Sequence, residues 1–281
     1  MDKSSNKWVI FPRPNPAAAL RLFCFHHAGG NAHAFHGWLR HLPPIVEMAA
    51  VQLPGRGHRL SEPHIRRLAP LSRIVAQELL PYLDKPFAFF GHSLGALLCF
   101  ETARSLRREY RRQPDHLFVS AAEAPHRRNP GELLSGLPSY TLVNKLRAFN
   151  GTPVEALQSD ELLGLMLPTI RADFELWDTY EYHPESSLEC PMTIYGGLED
   201  HGVEAERLAA WSEMTVGASE VRMFPGGHFY LNGPQSIFLQ TFAGDLLRLR
   251  PLLSSDPNPF SALEGRARAG SQAAAEFGSG D

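Results

Sequence analysis

The chain has 281 residues, 43% of them hydrophobic, so it is long enough and apolar enough to bury a sizeable core. Its 27 Lys and Arg residues nearly balance 30 Asp and Glu residues, and the formal charge of −3 gives no reason to expect nucleic-acid binding. No apolar run approaches the roughly 20 residues of a membrane span, and residues 1–7 lack the apolar region of a signal peptide.

The cysteines indicate the compartment. Cys24, Cys99 and Cys190 lie in apolar surroundings, are odd in number and form no C-x-x-C motif. Such cysteines are typical of reduced core residues. We therefore expect a cytoplasmic protein that does not associate with membranes.

Short apolar runs alternate with amphipathic stretches along the chain. The runs predict strands at residues 20–25, 45–53, 87–90, 117–121, 192–195 and 221–224. Apolar residues at helical spacing predict helices at 71–83, 96–106 and 237–247. Repeated strand–helix units favour an α/β fold with a mostly parallel central sheet and helices on both faces. An active site in such a fold lies at the carboxyl ends of the strands.

The interval between residues 125 and 191 is too long for one crossover helix. We interpret residues 131–183 as an inserted helical lid, with an ordinary helical hairpin as the alternative. Pro168 should kink or break its second helix, because proline lacks the amide hydrogen and its ring clashes with the preceding turn. Residues 1–253 then form a single domain. Residues 254–281 are rich in Ser, Gly, Ala and Asp, and predict a disordered tail.

The most informative motif is Gly91-His92-Ser93-Leu94-Gly95, which has the G-x-S-x-G form of a nucleophile elbow. An apolar strand precedes it and an amphipathic helix follows it, which is the setting that the elbow requires. The alternative is a glycine-rich turn whose serine has no chemical role.

A serine nucleophile needs a base, and the base needs an acid to orient it. The α/β-hydrolase fold, which this chain resembles, carries these groups in the order Ser, Asp or Glu, His. His228 follows the last predicted strand and Asp200 follows the strand at 192–195. His201 is a rival base, and Glu199 and Glu123 are alternative acids.

The oxyanion of the reaction needs two amide donors. In this fold one is the amide after the nucleophile, here Leu94, and the other comes from the loop after the first predicted strand. That loop reads His26-His27-Ala28-Gly29-Gly30, and Ala28 is the candidate; a plain glycine-rich turn is the alternative. The chain has no H-E-x-x-H motif, and adjacent His26 and His27 lack the spacing of metal ligands, so we expect no metal or cofactor.

The whole pattern resembles the type II thioesterases of polyketide and nonribosomal peptide assembly lines, from about residue 20 to 250. The matching segments are Phe25-His26-His27-Ala28-Gly29-Gly30, Leu53-Pro54-Gly55-Arg56-Gly57, the elbow, Tyr195-Gly196-Gly197-Leu198-Glu199-Asp200 and Gly226-Gly227-His228-Phe229-Tyr230-Leu231.

The resemblance implies a stand-alone hydrolase that removes stalled, decarboxylated or misprimed acyl groups from the phosphopantetheine arm of acyl or peptidyl carrier proteins. Ser93 would form an acyl-enzyme, His228 would relay protons and Asp200 would orient His228. The lid would shape the acyl pocket and admit the arm. We expect a monomer, since no interface pattern stands out.

Two segments depart from the family pattern. His26 stands where the family often has proline, and Ser120-Ala121-Ala122-Glu123 stands where Ser-Gly-Arg-Arg is expected. The second departure leaves carrier docking and acyl preference open. We interpret Arg56 and Arg59 as holding their loop together rather than contacting substrate.

Other functions fit the same motifs. The chain could be a medium-chain fatty acyl-carrier thioesterase or a small-molecule carboxylesterase. A non-catalytic carrier-binding protein with a vestigial site is a third reading.

Overall fold

The computed structural model describes residues 6–128, 131–149, 151, 154–232 and 237–249. The predicted tail at 254–281 lies outside the described residues. Over these ranges no helix has the length and apolar character needed to cross a membrane. Cys24, Cys99 and Cys190 are buried and free, as predicted from their surroundings.

One sheet forms the centre of the described structure. Its strands lie in the spatial order β1-β3-β2-β4-β5-β6-β7, with β1 antiparallel to β3 and each remaining pair parallel. The strands are β1 (Val9–Ile10), β2 (Leu20–Phe25), β3 (Val46–Val51), β4 (Phe87–His92), β5 (His116–Ser120), β6 (Met192–Gly197) and β7 (Ser219–Phe224). The mostly parallel α/β fold of the prediction is confirmed.

The register brings the ends of the central strands to one edge. Phe25 pairs with Gly91, and His92 pairs with Ser120. Ser120 in turn pairs with Tyr195. Since parallel strands all run the same way, the loops that follow β2, β4, β5, β6 and β7 meet at this edge. The motifs singled out above lie at or just after the carboxyl ends of β2, β3, β4, β6 and β7.

Helices cover both faces of the sheet. One apolar cluster joins the sheet to α1 and α2, and a second joins it to α7 and to the 3-10 helix Ala32–Arg40. The helices are α1 (Leu68–Leu79), α2 (Leu94–Tyr110), α3 (Ser139–Phe149), α4 (Val154–Gln158), α5 (Asp160–Asp178), α6 (Ala205–Ala209) and α7 (Ile237–Arg248).

Among the described residues, helices α3, α4 and α5 lie between β5 and β6, and we call residues 131–183 the helical insertion. They share a small core of Leu142, Val143, Leu146, Leu157 and Ile170. Helix α5 continues through Pro168 for 19 residues, so of the expected kink or break the break does not occur. Pro168 is exposed, and its neighbours Thr169 and Ile170 are buried against the rest of the protein. These contacts hold α5 in place directly after the proline.

Candidate active site

Ser93 lies in a strained turn between β4 and α2. Its φ of 55° and ψ of −120° fall in a region that residues with a Cβ rarely adopt. A Cβ at Gly91 would overlap the backbone of Gly95, and a Cβ at Gly95 would overlap the carbonyl oxygen of Phe25. Both glycines are therefore required by close backbone approach. The turn presents the Ser93 side chain at the edge where the loops meet.

Ser93 lines a mostly apolar cavity of about 210 Å³. His27, Ala28, Leu94 and His228 line it from the sheet edge. The helical insertion contributes its other wall, with Leu134, Leu146, Phe149, Phe174 and Trp177. A site lined mainly by apolar side chains is suited to an acyl chain.

His228 and Asp200 come together from two neighbouring loops. His228 Nδ1 donates a hydrogen bond to Asp200 Oδ2 at 2.7 Å, and both side chains are largely buried. The Glu199 amide donates to the carbonyl oxygen of Gly226 at 3.0 Å, and the Gly226 amide donates to the Glu199 carboxylate. These bonds tie the loop after β6 to the loop after β7. Asp200 therefore fixes the orientation of the His228 ring and leaves Nε2 available.

The alternative residues lie in other contacts. Glu123 accepts a hydrogen bond from Arg207 at 3.3 Å. Glu199 holds the Gly226 amide, and the side chain of His201 is exposed. The pairing of His228 with Asp200 thus favours the acid that follows β6.

The two residues predicted to supply the oxyanion amides, Leu94 and Ala28, line the same cavity as Ser93. Leu94 is the first residue of α2, so its N–H lies outside the hydrogen-bond ladder of that helix. Ala28 lies in the loop after β2, residues 26–30, which we call the β2 loop, and it lines the same cavity. The Gly30 amide donates to the His27 carbonyl oxygen at 3.0 Å and closes a tight turn around Ala28.

Three further histidines surround the site in a neutral state. Burial lowers the pKa of His26 to about 3 and that of His27 to about 4. Burial also lowers the pKa of His92 well below its usual value, and the nearby His228 adds to the effect. His92 Nδ1 forms a hydrogen bond with Ser120 Oγ at 2.8 Å, and Ser120 bonds Tyr230 at 2.6 Å. His92 therefore packs beneath the elbow.

Arg56 and Arg59 hold their loops through buried contacts. Arg59 donates to the Gln52 carbonyl oxygen at 2.9 Å, pairs with Glu62 and stacks on Trp8. Arg56 donates to the carbonyl oxygens of Pro54 and Gly30. These contacts agree with the structural role predicted for both arginines.

Sequence reasoning missed one residue of this region, Asp173 of α5. Its carboxylate forms a bidentate ion pair with Arg56, at 2.5 and 2.7 Å, and accepts a hydrogen bond from the Gly29 amide at 2.7 Å. Asp173 is 117 positions from Arg56 and stands in an ordinary amphipathic helix. No local pattern could have marked it.

Among the described residues, no group of three or more His, Cys, Asp or Glu side chains is arranged to hold a metal ion. The geometry instead combines a serine elbow, an Asp-oriented histidine and a parallel α/β sheet. Together these define the α/β-hydrolase class of serine hydrolases.

Comparison with known proteins identifies the family. The model of the thioesterase domain matches residues 20–245. Gramicidin S biosynthesis protein GrsT of Aneurinibacillus migulanus is 42% identical over 226 residues, covering 80% of this chain and 88% of the relative. Thioesterase PikA5 of Streptomyces venezuelae is 35% identical over 271 residues, covering 95% and 96%.

A solved structure agrees with these matches. The type II thioesterase BorB from the borrelidin biosynthetic cluster superimposes with a TM-score of 0.78 at 36% identity, covering 85% of this chain and 97% of that one. The chain belongs to the thioesterase domain family and is an enzyme that acts on thioesters. The resemblance to type II thioesterases is thereby confirmed.

Proposed function

We propose that this protein is a stand-alone editing thioesterase. It hydrolyses stalled, decarboxylated or misprimed acyl groups from the phosphopantetheine arm of carrier proteins in a polyketide or nonribosomal peptide synthase. The observation that carries the proposal is the Asp200–His228 pair beside the Ser93 elbow, at an apolar cavity, in a chain of this family.

The proposed chemistry proceeds through an acyl-enzyme. His228 Nε2 takes the proton of the Ser93 hydroxyl as Ser93 Oγ attacks the thioester carbonyl carbon. The C–S bond then breaks, and His228 returns the proton to the departing sulfur of the phosphopantetheine arm. Water, deprotonated by the same ring, attacks the acyl-enzyme and releases the carboxylic acid and free Ser93. Asp200 accepts the Nδ1–H bond and stabilises the imidazolium in both halves of the reaction.

Both tetrahedral intermediates carry a negative oxygen. In the proposal, the backbone amides of Ala28 and Leu94 donate to it. Such donors accelerate the reaction because the charge develops only in the transition state, and one donor is typically worth about a hundredfold or more in rate. The chemistry needs water and these groups, and it calls for no metal or cofactor.

The helical insertion acts as the lid in this proposal. Phe149, Phe174 and Trp177 supply apolar surface on the wall opposite Ser93. Burial of an acyl chain against this wall makes its free energy of binding more favourable, by about 25 cal/mol per Å² of apolar surface removed from water. The partners are acyl or peptidyl carrier proteins, and we propose that the enzyme works as a cytoplasmic monomer.

The first test replaces the nucleophile. Ser93→Ala should reduce hydrolysis of an acyl-carrier protein by at least a thousandfold, because the remaining groups cannot form the acyl-enzyme. Turnover is followed by release of the carrier thiol, with Ser212→Ala, an exposed serine, as the matched control. Unchanged turnover in Ser93→Ala would remove Ser93 from the mechanism.

A second test separates the competing functions. Acyl-carrier proteins, acyl-CoA thioesters and p-nitrophenyl esters are compared at equal enzyme concentration. A preference for simple oxygen esters contradicts the proposal, and a preference for medium-chain fatty acyl carriers supports the fatty acid alternative. Binding of the carrier protein without hydrolysis of any substrate supports the reading as a non-catalytic carrier-binding protein.

A separate pair of substitutions tests the identity of the acid. Asp200→Asn should reduce turnover strongly, whereas a comparable loss in Glu123→Gln alone would reassign the role of the acid to Glu123.

A further inference from the structure

Asp173 connects the helical insertion to the β2 loop through one buried carboxylate. Oδ2 accepts hydrogen bonds from the Gly29 amide at 2.7 Å and from Arg56 Nη1 at 2.5 Å, and Oδ1 accepts from Arg56 Nη2 at 2.7 Å. The Asp173 side chain is 1% exposed and that of Arg56 is 7% exposed. Both acceptor atoms are therefore engaged away from solvent.

The β2 loop lies directly against α5. Gly29 has a φ of +76°, and a Cβ there would approach Ile170 Cγ1 to 2.7 Å, closer than packed atoms allow. Ile170 stands one helical turn before Asp173. Arg56 also donates to the Gly30 carbonyl oxygen at 3.2 Å. One turn of α5 thus fixes the loop by steric contact, by a direct hydrogen bond and through Arg56.

The charge state of the pair is set by its surroundings. Burial alone would raise the pKa of Asp173, but the Arg56 guanidinium and the Gly29 amide outweigh burial and hold that pKa below its usual value. The carboxylate is therefore ionised. A charged acceptor makes a stronger bond to a backbone amide than a neutral one does.

These contacts decide which amide of the β2 loop is left for substrate. The Gly29 amide is committed to Asp173 and the Gly30 amide to the His27 carbonyl oxygen. Ala28 stands just before them and lines the cavity beside Ser93. With Gly29 and Gly30 held, the backbone around Ala28 has little freedom to rotate.

We propose that Asp173 is a positioning residue for the oxyanion site, which holds the β2 loop so that the Ala28 amide faces the developing negative oxygen. The proposal rests on the proposed function, since it assumes that Ala28 supplies a donor. Under this proposal, one part of α5 both contacts the substrate and positions the oxyanion site. Phe174 and Trp177, which line the cavity, lie on the same stretch of α5 as Asp173.

The experiment removes the ion pair and compares variants with and without a hydrogen-bond acceptor for the Gly29 amide at residue 173. In an Arg56→Met background, Asp173→Leu and Asp173→Asn both lack the charges, and both side chains have four heavy atoms that branch at Cγ. Apolar replacement of both partners of a buried ion pair is often tolerated, whereas removal of one partner leaves a buried charge. Asparagine retains an oxygen that can accept from the Gly29 amide, and leucine does not.

We expect the Arg56→Met/Asp173→Leu variant to lose about tenfold to a hundredfold in kcat, with KM changed less than about threefold, because an oxyanion donor acts in the transition state only. The Arg56→Met/Asp173→Asn variant should recover at least about tenfold of that loss. A trifluoromethyl ketone analogue of the thioester forms a tetrahedral adduct with the serine. Its inhibition constant should weaken by the same factor as kcat/KM, which a purely structural role would not produce.

Equal kcat values and equal inhibition constants in the two double variants would overturn the proposal. If either fails to fold, Asp173→Asn alone is compared with Glu47→Gln, which disrupts the buried Arg21–Glu47 pair at the start of β2, far from the site. Only Asp173→Asn should lower kcat when activity is expressed per folded molecule. Equal losses of kcat in Asp173→Asn and Glu47→Gln would contradict the proposal. Full activity in Ser93→Ala would instead refute the proposed function. Inactive Ser93→Ala with equal double variants would refute the role of Asp173 alone.

Discussion

The glycines of the serine elbow have no room for a side chain. A Cβ at Gly95 would overlap the carbonyl oxygen of Phe25, which belongs to the backbone and cannot turn away. We predict that Gly95→Ala lowers the free energy of unfolding by about 3 kcal/mol or more. Urea unfolding followed by circular dichroism measures the change.

Gly244 is the matched control for that substitution. It lies inside α7, and a Cβ there would meet no atom within 4 Å. Gly244→Ala should raise the free energy of unfolding by about 0.5 to 1 kcal/mol, because glycine loses more chain entropy in a helix than alanine does. A loss of stability in Gly244→Ala, or an unchanged Gly95→Ala, would contradict the close approach seen at the elbow.

The candidate catalytic residues carry individual sequence signals, whereas the residues that support them do not. Ser93, Asp200 and His228 each follow a strand in a glycine-marked loop, so sequence order alone suggested that they meet. Asp173 acts through partners 117 and 144 positions away and has no such marker. Ala121 is a smaller case. It adopts a φ of 49°, where the family pattern led us to expect glycine, and the sequence did not indicate how alanine would be accommodated.

Helix α5 is attached at its first turn and again near its middle. Thr169 Oγ1 donates to the Gly55 carbonyl oxygen at 2.9 Å and bonds His64 at 3.0 Å, while Ser159 caps the first turn. Pro168 interrupts the helical bonding between them. These contacts explain why the helix continues through Pro168, so that of the two expected effects, a kink or a break, the break does not occur.

Pro168→Ala tests this account of the helix. Alanine restores an amide donor and removes a ring clash in an exposed part of α5, so the free energy of unfolding should rise by about 1 to 3 kcal/mol. Thermal unfolding provides the measurement. A fall in stability would mean that the proline itself makes a contact that α5 needs.

At the same scale, the longer strands were predicted well and β1 was not. Buried runs such as residues 20–25 carry a clear apolar signal. Strand β1 spans only Val9–Ile10 and pairs antiparallel at the sheet edge, and two residues are too few to form a pattern. Strand β4 also extends to His92, beyond the predicted residue 90, because its last residues pair with β5 inside the motif.

The molecule as a whole buries several neutral histidines, which makes its stability sensitive to acid. Burial, aided by the charge of Arg56, lowers the pKa of His26 from its usual value of 6.5 to about 3. Below pH 6.5 the unfolded chain binds a proton at this residue and the folded protein does not. Stability therefore falls as the pH falls, and His26 alone accounts for about 2 kcal/mol between pH 7 and pH 5.

We expect the free energy of unfolding, measured by urea titration at pH 5, 6 and 7, to decrease steadily toward pH 5. His26→Asn removes one titrating group and should flatten this dependence, whatever it does to stability at pH 7. Identical slopes in the two proteins would show that His26 binds its proton over the same pH range in the folded and unfolded states.

The contact between Asp173 and Arg56 has a consequence for engineering. Exchanging the helical insertion between relatives is an obvious route to a new acyl preference, since it forms one wall of the cavity. Yet the exchanged segment also carries the carboxylate that the rest of the enzyme requires. The activity of a chimera should therefore depend on whether residue 173 of the exchanged segment can pair with residue 56 of the recipient enzyme. Its acyl selectivity should depend on the other residues of the exchanged segment.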